Sequence, residues 1–205
     1  MIRVVGLTVR VPGFALDRVS FTVPSGGVGV VTGLTGAGKT TLLETIAGIR
    51  SASAGQVLLG DADVTRLPPE ERGVGLVYQQ AWLFPHLTVQ HNIAYGAREH
   101  SVVGILIALL QLDALLDKPV ATLSGGERQL IALARALARM PRTLLLDEPF
   151  AAMDTSLRAT VRGAVLGWAS QRGMTTLLVT HDAAEAALAG GVPLRLERGI
   201  LSAST

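Results

Sequence analysis

Residues 28–48 read "VGVVTGLTGAGKTTLLETIAG". An apolar run of β type opens the stretch, glycines follow, and from Lys39 the spacing of Leu42, Leu43, Ile46 and Ala47 marks one face of a helix that Gly48 is placed to end. The order is strand, glycine loop, helix. Within it Gly33 to Thr41 satisfies the phosphate-loop pattern GxxxxGK[ST]. The glycines let backbone N–H groups turn inward around phosphates, the helix N-terminus adds its dipole, and Lys39 supplies a point charge. Gly33, Thr35, Gly36, Ala37, Gly38 and Lys39 are therefore the candidate phosphate-binding residues. Thr40 offers a hydroxyl to Mg²⁺, and Thr41 can bond an α-phosphate.

Outward from this core, residues 2–31 alternate or run apolar in short pieces ("IRVVGLTVRV", "VSFTV", "VGVVT") separated by "PG" and "PSGG". Those separators are turn signals, so an antiparallel β layer should lead into the buried strand. Downstream, "TLLLD" (143–147) and "TTLLVTHD" (175–182) are continuous apolar runs of β type, as expected of a parallel sheet with helices on both faces. Residues 155–172 can form the crossover helix between them. The Leu-, Ile- and Ala-rich stretch 86–124 lacks such strands and reads as a small helical subdomain. The fold class is α/β: a phosphate-loop NTPase core with an N-terminal antiparallel β layer and the inserted helical subdomain, all one domain over 1–205. "GGVPLRLERGILSAST" at the end leads us to expect no C-terminal regulatory domain.

Composition narrows the function classes. With 205 residues, 49% hydrophobic and 17% charged, the chain can bury a full core. A net charge of only +2 argues against a face built for nucleic acid. The absence of cysteine excludes disulfides and thiolate metal sites. "MIRVVGLTVRV" lacks the apolar block and cleavage site of a signal peptide. The apolar stretch Val102–Leu116 is interrupted by Gln111 and Asp113, short of the roughly 20 residues of a membrane span, and reads as a buried helix.

Two further motifs carry chemistry. "TLLLDEP" (143–149) sets Asp147 and Glu148 at the carboxyl end of a buried strand, where open α/β sheets bind ligands. One carboxylate can hold Mg²⁺ through water while the next polarises an attacking water. "LSGGERQ" (123–129) opens the helical pattern "ERQLIALARALAR", with Ser124 as cap and Gly125 and Gly126 leaving N–H groups bare to an anion. A nucleotide has one γ-phosphate, already wrapped by the first loop, so this second anion site needs another explanation.

Taken together the residues resemble the ATP-binding cassette ATPases, over nearly the whole chain and in the right order. "GLTGAGKTT" looks like Walker A, "LVYQQ" the Q-loop, "LSGGERQ" the signature, "TLLLDEP" Walker B, "AAMD" the D-loop and "VTHD" the switch histidine. The resemblance implies ATP and Mg²⁺ as ligands and a head-to-tail pair, a homodimer or two paired cassettes. In such a pair Ser124, Gly125, Gly126 and Glu127 of one subunit close on the ATP held by the other. It implies Glu148 as general base, Gln79 in contact with Mg²⁺ and the lytic water, and His181 bonded to the γ-phosphate. Thr40, Gln79 and, through water, Asp147 would hold the metal, and Asp154 would belong to the D-loop. "AAMD" departs from the commoner small-polar version, and Ala152 receives no polar role.

The adenine contact departs most. Family members stack the base on an aromatic in the first strand region, and ungapped counting back from Lys39 reaches Arg10, whose guanidinium can also stack. Phe14 takes that role if the hairpin is shorter. His86, His91 and His100 fit no metal-ligand spacing and read as surface residues. Trp82, Leu83 and Phe84 are either core or an exposed groove. The resemblance implies that this region receives a helix of a membrane permease, and "LFPHLTVQHNIAYG" looks most like ATPase subunits of bacterial importers for small solutes such as inorganic anions, thiamine, polyamines or iron. A solute-binding protein belongs to such systems, and the location implied is the cytoplasmic face of the membrane. Two other readings compete: a soluble ATPase clamp acting on ribosomes or DNA, and a nucleotide-dependent signalling protein that hydrolyses poorly.

Overall fold

The computed structural model describes residues 1–203. Two sheets form the frame. The first is antiparallel, from β1 (Ile2–Val11), β2 (Phe14–Val23), β4 (Ala54–Leu59) and β5 (Ala62–Asp63) in the order β2-β1-β4-β5. The second contains β3 (Val28–Thr32), β6 (Val74–Val77), β7 (Thr143–Asp147), β8 (Thr175–Thr180), β9 (Val192–Glu197) and β10 (Ile200–Ala203), ordered β10-β9-β3-β8-β7-β6. In it β6, β7, β8, β3 and β9 run parallel, and β10 is antiparallel at the edge. The helices are α1 (Lys39–Ala47), α2 (Val89–Ala94), α3 (His100–Leu109), α4 (Gly125–Ala138), α5 (Thr155–Gln171) and α6 (Ala183–Ala189).

The central strands are apolar throughout because both faces are covered. In β7, Leu144 and Leu146 join the core beneath α2 to α5, whereas Leu145 faces the core shared by α1 and the antiparallel layer. Helices therefore lie on both faces, but α1 shares its face with a whole β sheet. The antiparallel layer is also larger than the sequence suggested, since β4 and β5 complete it from residues 54–63, while β3 is the buried strand it leads into. β6 was not foreseen: four residues, one a glycine, are too few to display a period.

The helical subdomain consists of α2, α3 and short 3-10 turns at Asp113–Leu115 and Val120–Thr122. The expectation of one buried helix over Val102–Leu116 is corrected. α3 stops at Leu109, Gln111 takes φ 55, and Ile105 is 49% exposed while Val102, Val103, Leu106 and Ile107 are buried. The α5 range matches the expected crossover helix, with Asp154 capping it by accepting from Leu157 N. No helix among the described residues is long and apolar enough to cross a membrane.

One buried cation locks the far end of α1. Arg72, 8% exposed, donates to the carbonyls of Leu67, Thr45, Ile46 and Thr65 at 2.8–3.0 Å. Two of these acceptors belong to the last turn of α1, where carbonyls lack helical partners. Burial holds the guanidinium pKa below its usual range. Replacing Arg72 by Leu removes all four bonds, and only Thr45 O keeps another donor, Gly48 N; an unsatisfied buried group costs about 1–3 kcal/mol. We expect the Arg72→Leu variant to lose about 2–4 kcal/mol of stability, given several affected bonds, as read from the midpoint of urea unfolding.

Candidate active site

The cleft forms at the carboxyl ends of β3, β7 and β8. The chain leaves β3 through Gly33, where any side chain would collide with the Leu196 carbonyl of β9, and reaches α1 through Gly38 at φ 101. A methyl on Gly38 would run into the Phe14 ring. Lys39 is 7% exposed and folds back over its own loop, donating to Gly33 O at 2.8 Å and Leu34 O at 3.1 Å. Its amine lies 3.9 Å from Glu148 Oε1. The loop's own carbonyls thus hold the Lys39 amine in the cleft beside Glu148.

Thr40, in the first turn of α1, donates from its hydroxyl to Asp147 Oδ2 at 2.6 Å. Asp147 ends β7 and is 4% exposed. Burial pushes its carboxyl above the usual range, the Thr40 hydrogen bond opposes this, and the neighbouring Glu148 charge adds to it. The next residue, Glu148, takes φ 45, a left-handed conformation that costs a non-glycine residue about 1–3 kcal/mol. Its N–H bonds to Val179 O at 2.9 Å, and this turn aims the side chain back into the cleft. There Glu148 Oε2 accepts from Gln79 Nε2 at 3.1 Å and lies 3.0 Å from His181 Nδ1. Residues from the ends of β6, β7 and β8 thus meet at one carboxylate.

The cleft has a volume of about 470 Å³, and Thr35, Gly36, Thr41, Val11 and Phe14 complete its wall. Pairing of Val11 with Phe14 leaves Pro12 and Gly13 as a two-residue turn, so the hairpin is the shorter of the two alternatives. Phe14 accordingly stands in the wall, whereas Arg10, paired with Ala15, is exposed outside it. Ala37 lies in the loop core, 5% exposed. Val11 escaped the sequence reading because its place depends on that turn.

The signature residues stand apart from this cleft. Ser124 Oγ accepts from Glu127 N at 3.2 Å while Glu127 Oε2 accepts from Ser124 N at 2.7 Å, a reciprocal cap on α4. Those bonds hold the Glu127 carboxyl below its usual range. The N–H groups of Gly125 and Gly126 remain outside this pairing, on an exposed helix start. Beside them runs the turn ahead of α5: a methyl on Gly126 would lie 3.2 Å from Ala152 O.

The aromatic stretch after Gln79 divides: Leu83 packs against the core, whereas Trp82 and Phe84 line a groove. Trp82 is 63% exposed. Phe84 packs on Tyr95 with ring centroids 4.4 Å apart, under the Arg135 guanidinium at 5.0 Å. Arg135 also donates to the Trp82 carbonyl, and Arg139 and Val77 line the same groove of about 210 Å³. The three upstream histidines form no cluster: among the described residues no group of three or more His, Cys, Asp or Glu could hold a metal.

Comparisons with known proteins bear on this geometry. The sequence pattern of the ABC transporter family matches residues 16–151. The chain is 41% identical over 202 residues to the sulfate/thiosulfate import ATP-binding protein CysA 2 of Agrobacterium fabrum, covering 93% of this chain and 59% of that one. It is 45% identical over 184 residues to the CysA protein of Xanthomonas campestris, covering 84% of this chain and 54% of the relative. The chain thus spans little more than half the length of these curated relatives. Among solved structures, the dimeric post-hydrolysis state of the ATP-binding cassette MJ0796 bound to ADP and Pi superposes with a TM-score of 0.87 at 25% identity, covering 98% and 97% of the two chains.

Proposed function

The chain belongs to the ABC transporter family as an ATP-binding cassette, and from that premise we propose that it hydrolyses ATP to drive a small solute through a separate membrane permease. The observation that carries the reading is the convergence of Gln79, Lys39 and His181 on Glu148 beside the Thr40–Asp147 pair. Lys39 and the loop N–H groups hold the β- and γ-phosphates, and His181 reaches the γ-phosphate. Phe14 stacks on adenine, with Val11 beside it. Glu148 takes the proton of the attacking water, whose position Gln79 shares.

The residues also fit Mg²⁺. Asp147 and Glu148 face the one amine of Lys39, and burial raises the Asp147 pKa. Mg²⁺ favours one or two carboxylates with phosphates and water over an all-protein cage. Thr40, Asp147 through water, and Gln79 would hold it, and when bound it offsets phosphate charge.

One cassette lacks a way to use its exposed LSGG start, so the working unit is a head-to-tail pair. Ser124, Gly125 and Gly126 of each subunit face the ATP of the other, with Asp154 and the D-loop beside them. The groove at Trp82 and Phe84 receives the permease, an exposed aromatic patch being the mark of a partner site. The sulfate/thiosulfate importers among its relatives support a small inorganic oxyanion as the solute, with a solute-binding protein upstream and the cassette on the cytoplasmic face.

Tagged chain should be captured from gently solubilised native membranes and the eluate identified by mass spectrometry. A multi-span protein that binds wild type, and is lost on Trp82→Ala, is the expected result. Only soluble partners, such as ribosomal or chromosomal proteins, would replace the transport reading with that of a clamp.

A further inference from the structure

Behind the carboxylate of Glu148 lies a second, smaller cavity of about 60 Å³, walled by Glu148, His181, Arg158, Asp182, Thr180 and Glu185. Two of its walls carry buried polar atoms with no protein partner, Glu185 Oε1 and Arg158 Nε. Glu185 is 6% exposed, and its other oxygen accepts from the Thr180 hydroxyl. Arg158 is otherwise engaged: it donates to Met153 O in the D-loop at 3.0 Å and lies 3.4 Å from Asp182 Oδ2. Buried charged groups without partners are costly. A polar cavity of this size admits water, which occupies about 30 Å³ in the liquid.

The same residues bracket the switch histidine. Thr180 Oγ1 donates to Glu185 and accepts from Asp182 N at 3.0 Å, so one hydroxyl joins the residues on either side of His181. Asp182 Oδ1 in turn accepts from Ala184 N at 2.8 Å and Glu185 N at 3.1 Å, setting Glu185 in the first turn of α6. The His181 side chain is itself 62% exposed. Apart from its contact with Glu148 Oε2 at 3.0 Å, the imidazole is placed by its backbone.

We propose that Glu185, with Arg158, holds water in this cavity and through Thr180 clamps the backbone around His181, making Glu185 a positioning residue for the γ-phosphate contact. This rests on the reading of His181 given above. Glu185 touches neither substrate nor metal, and acts through the histidine loop. Arg158 extends the clamp to the D-loop through Met153.

The test is a double-mutant cycle on the full chain, with single-turnover phosphate release sensitive enough for low rates, nucleotide affinity measured separately, and folding checked by thermal unfolding. Glu185→Ala is expected to lower the hydrolysis rate roughly tenfold, in the range for members of one hydrogen-bond network, with nucleotide affinity little changed. In a His181→Ala background the same substitution should cost almost nothing further. Glu185→Gln, which keeps an acceptor for Thr180, should recover most of the rate. If Glu185→Ala fails to fold, Thr180→Val removes the bridging hydroxyl at nearly constant shape and should show the same loss and the same non-additivity. An undiminished rate, or an equal loss with and without His181, overturns the clamp. A His181→Ala variant that hydrolyses at the wild-type rate would instead overturn the role given to the histidine.

Discussion

Glu148→Gln is expected to slow ATP turnover by about 10²–10⁴-fold, the span contributed by a general base, while leaving nucleotide bound. The reason is geometric. Gln has the shape of Glu, can occupy the same backbone turn at φ 45, and keeps an oxygen to accept from Gln79. What disappears is the basic lone pair that takes a proton from water. ATP should then persist between two cassettes, so gel filtration with Mg-ATP should give a dimer for the variant where wild type gives mostly monomer. Monomer alone would count against the head-to-tail pair, and turnover within threefold of wild type would remove Glu148 from its role.

Lys39→Ala should act on binding. The amine of Lys39 is buried against two loop carbonyls and lies 3.9 Å from Glu148, so the loop is folded around a charge that the variant lacks. A hydrogen bond to a charged group contributes about 1.5–3 kcal/mol. Its loss corresponds to about 10- to 150-fold in affinity, and more where the phosphate would face Glu148 without the intervening cation. Calorimetric titration with a non-hydrolysable nucleotide would give this ratio, and turnover should fall below detection. Unchanged hydrolysis would contradict the whole assignment of the cleft.

The parts of this site that were legible in the sequence are those whose chemistry is local. A glycine loop between strand and helix, two acids closing an apolar run, and Ser-Gly-Gly before a helix each declare themselves within nine residues, because backbone geometry and capping are short-range. β6 and β4 were not legible, since short strands acquire their identity from a neighbour. Phe14 could be placed in the cleft only by knowing that Pro12 and Gly13 close a two-residue turn. Glu185 and Arg158 gave less still: a Glu four residues after His181 was visible, but its partner comes from α5. The exposed face of α3 was misread for the opposite reason, a greasy run from Val102 to Leu110 that the tertiary structure uses on one side only.

The closeness of Gly126 to the Ala152 carbonyl, which a side chain at 126 would meet at 3.2 Å, ties two sites together. Only four positions separate Glu148 from Ala152, and the segment is pinned in the core by Phe150 and Met153, 0% and 4% exposed. On the roles proposed above, base and signature support are therefore parts of one short lever. In a head-to-tail pair the base serves one nucleotide and the signature the other, so a shift of that lever registers at both sites. Thermodynamic linkage then requires reciprocity: whatever factor occupancy of the first site imposes on affinity at the second, the second imposes on the first. The two cassettes would thus fire as a negotiated pair, each setting the threshold at which its neighbour lets go.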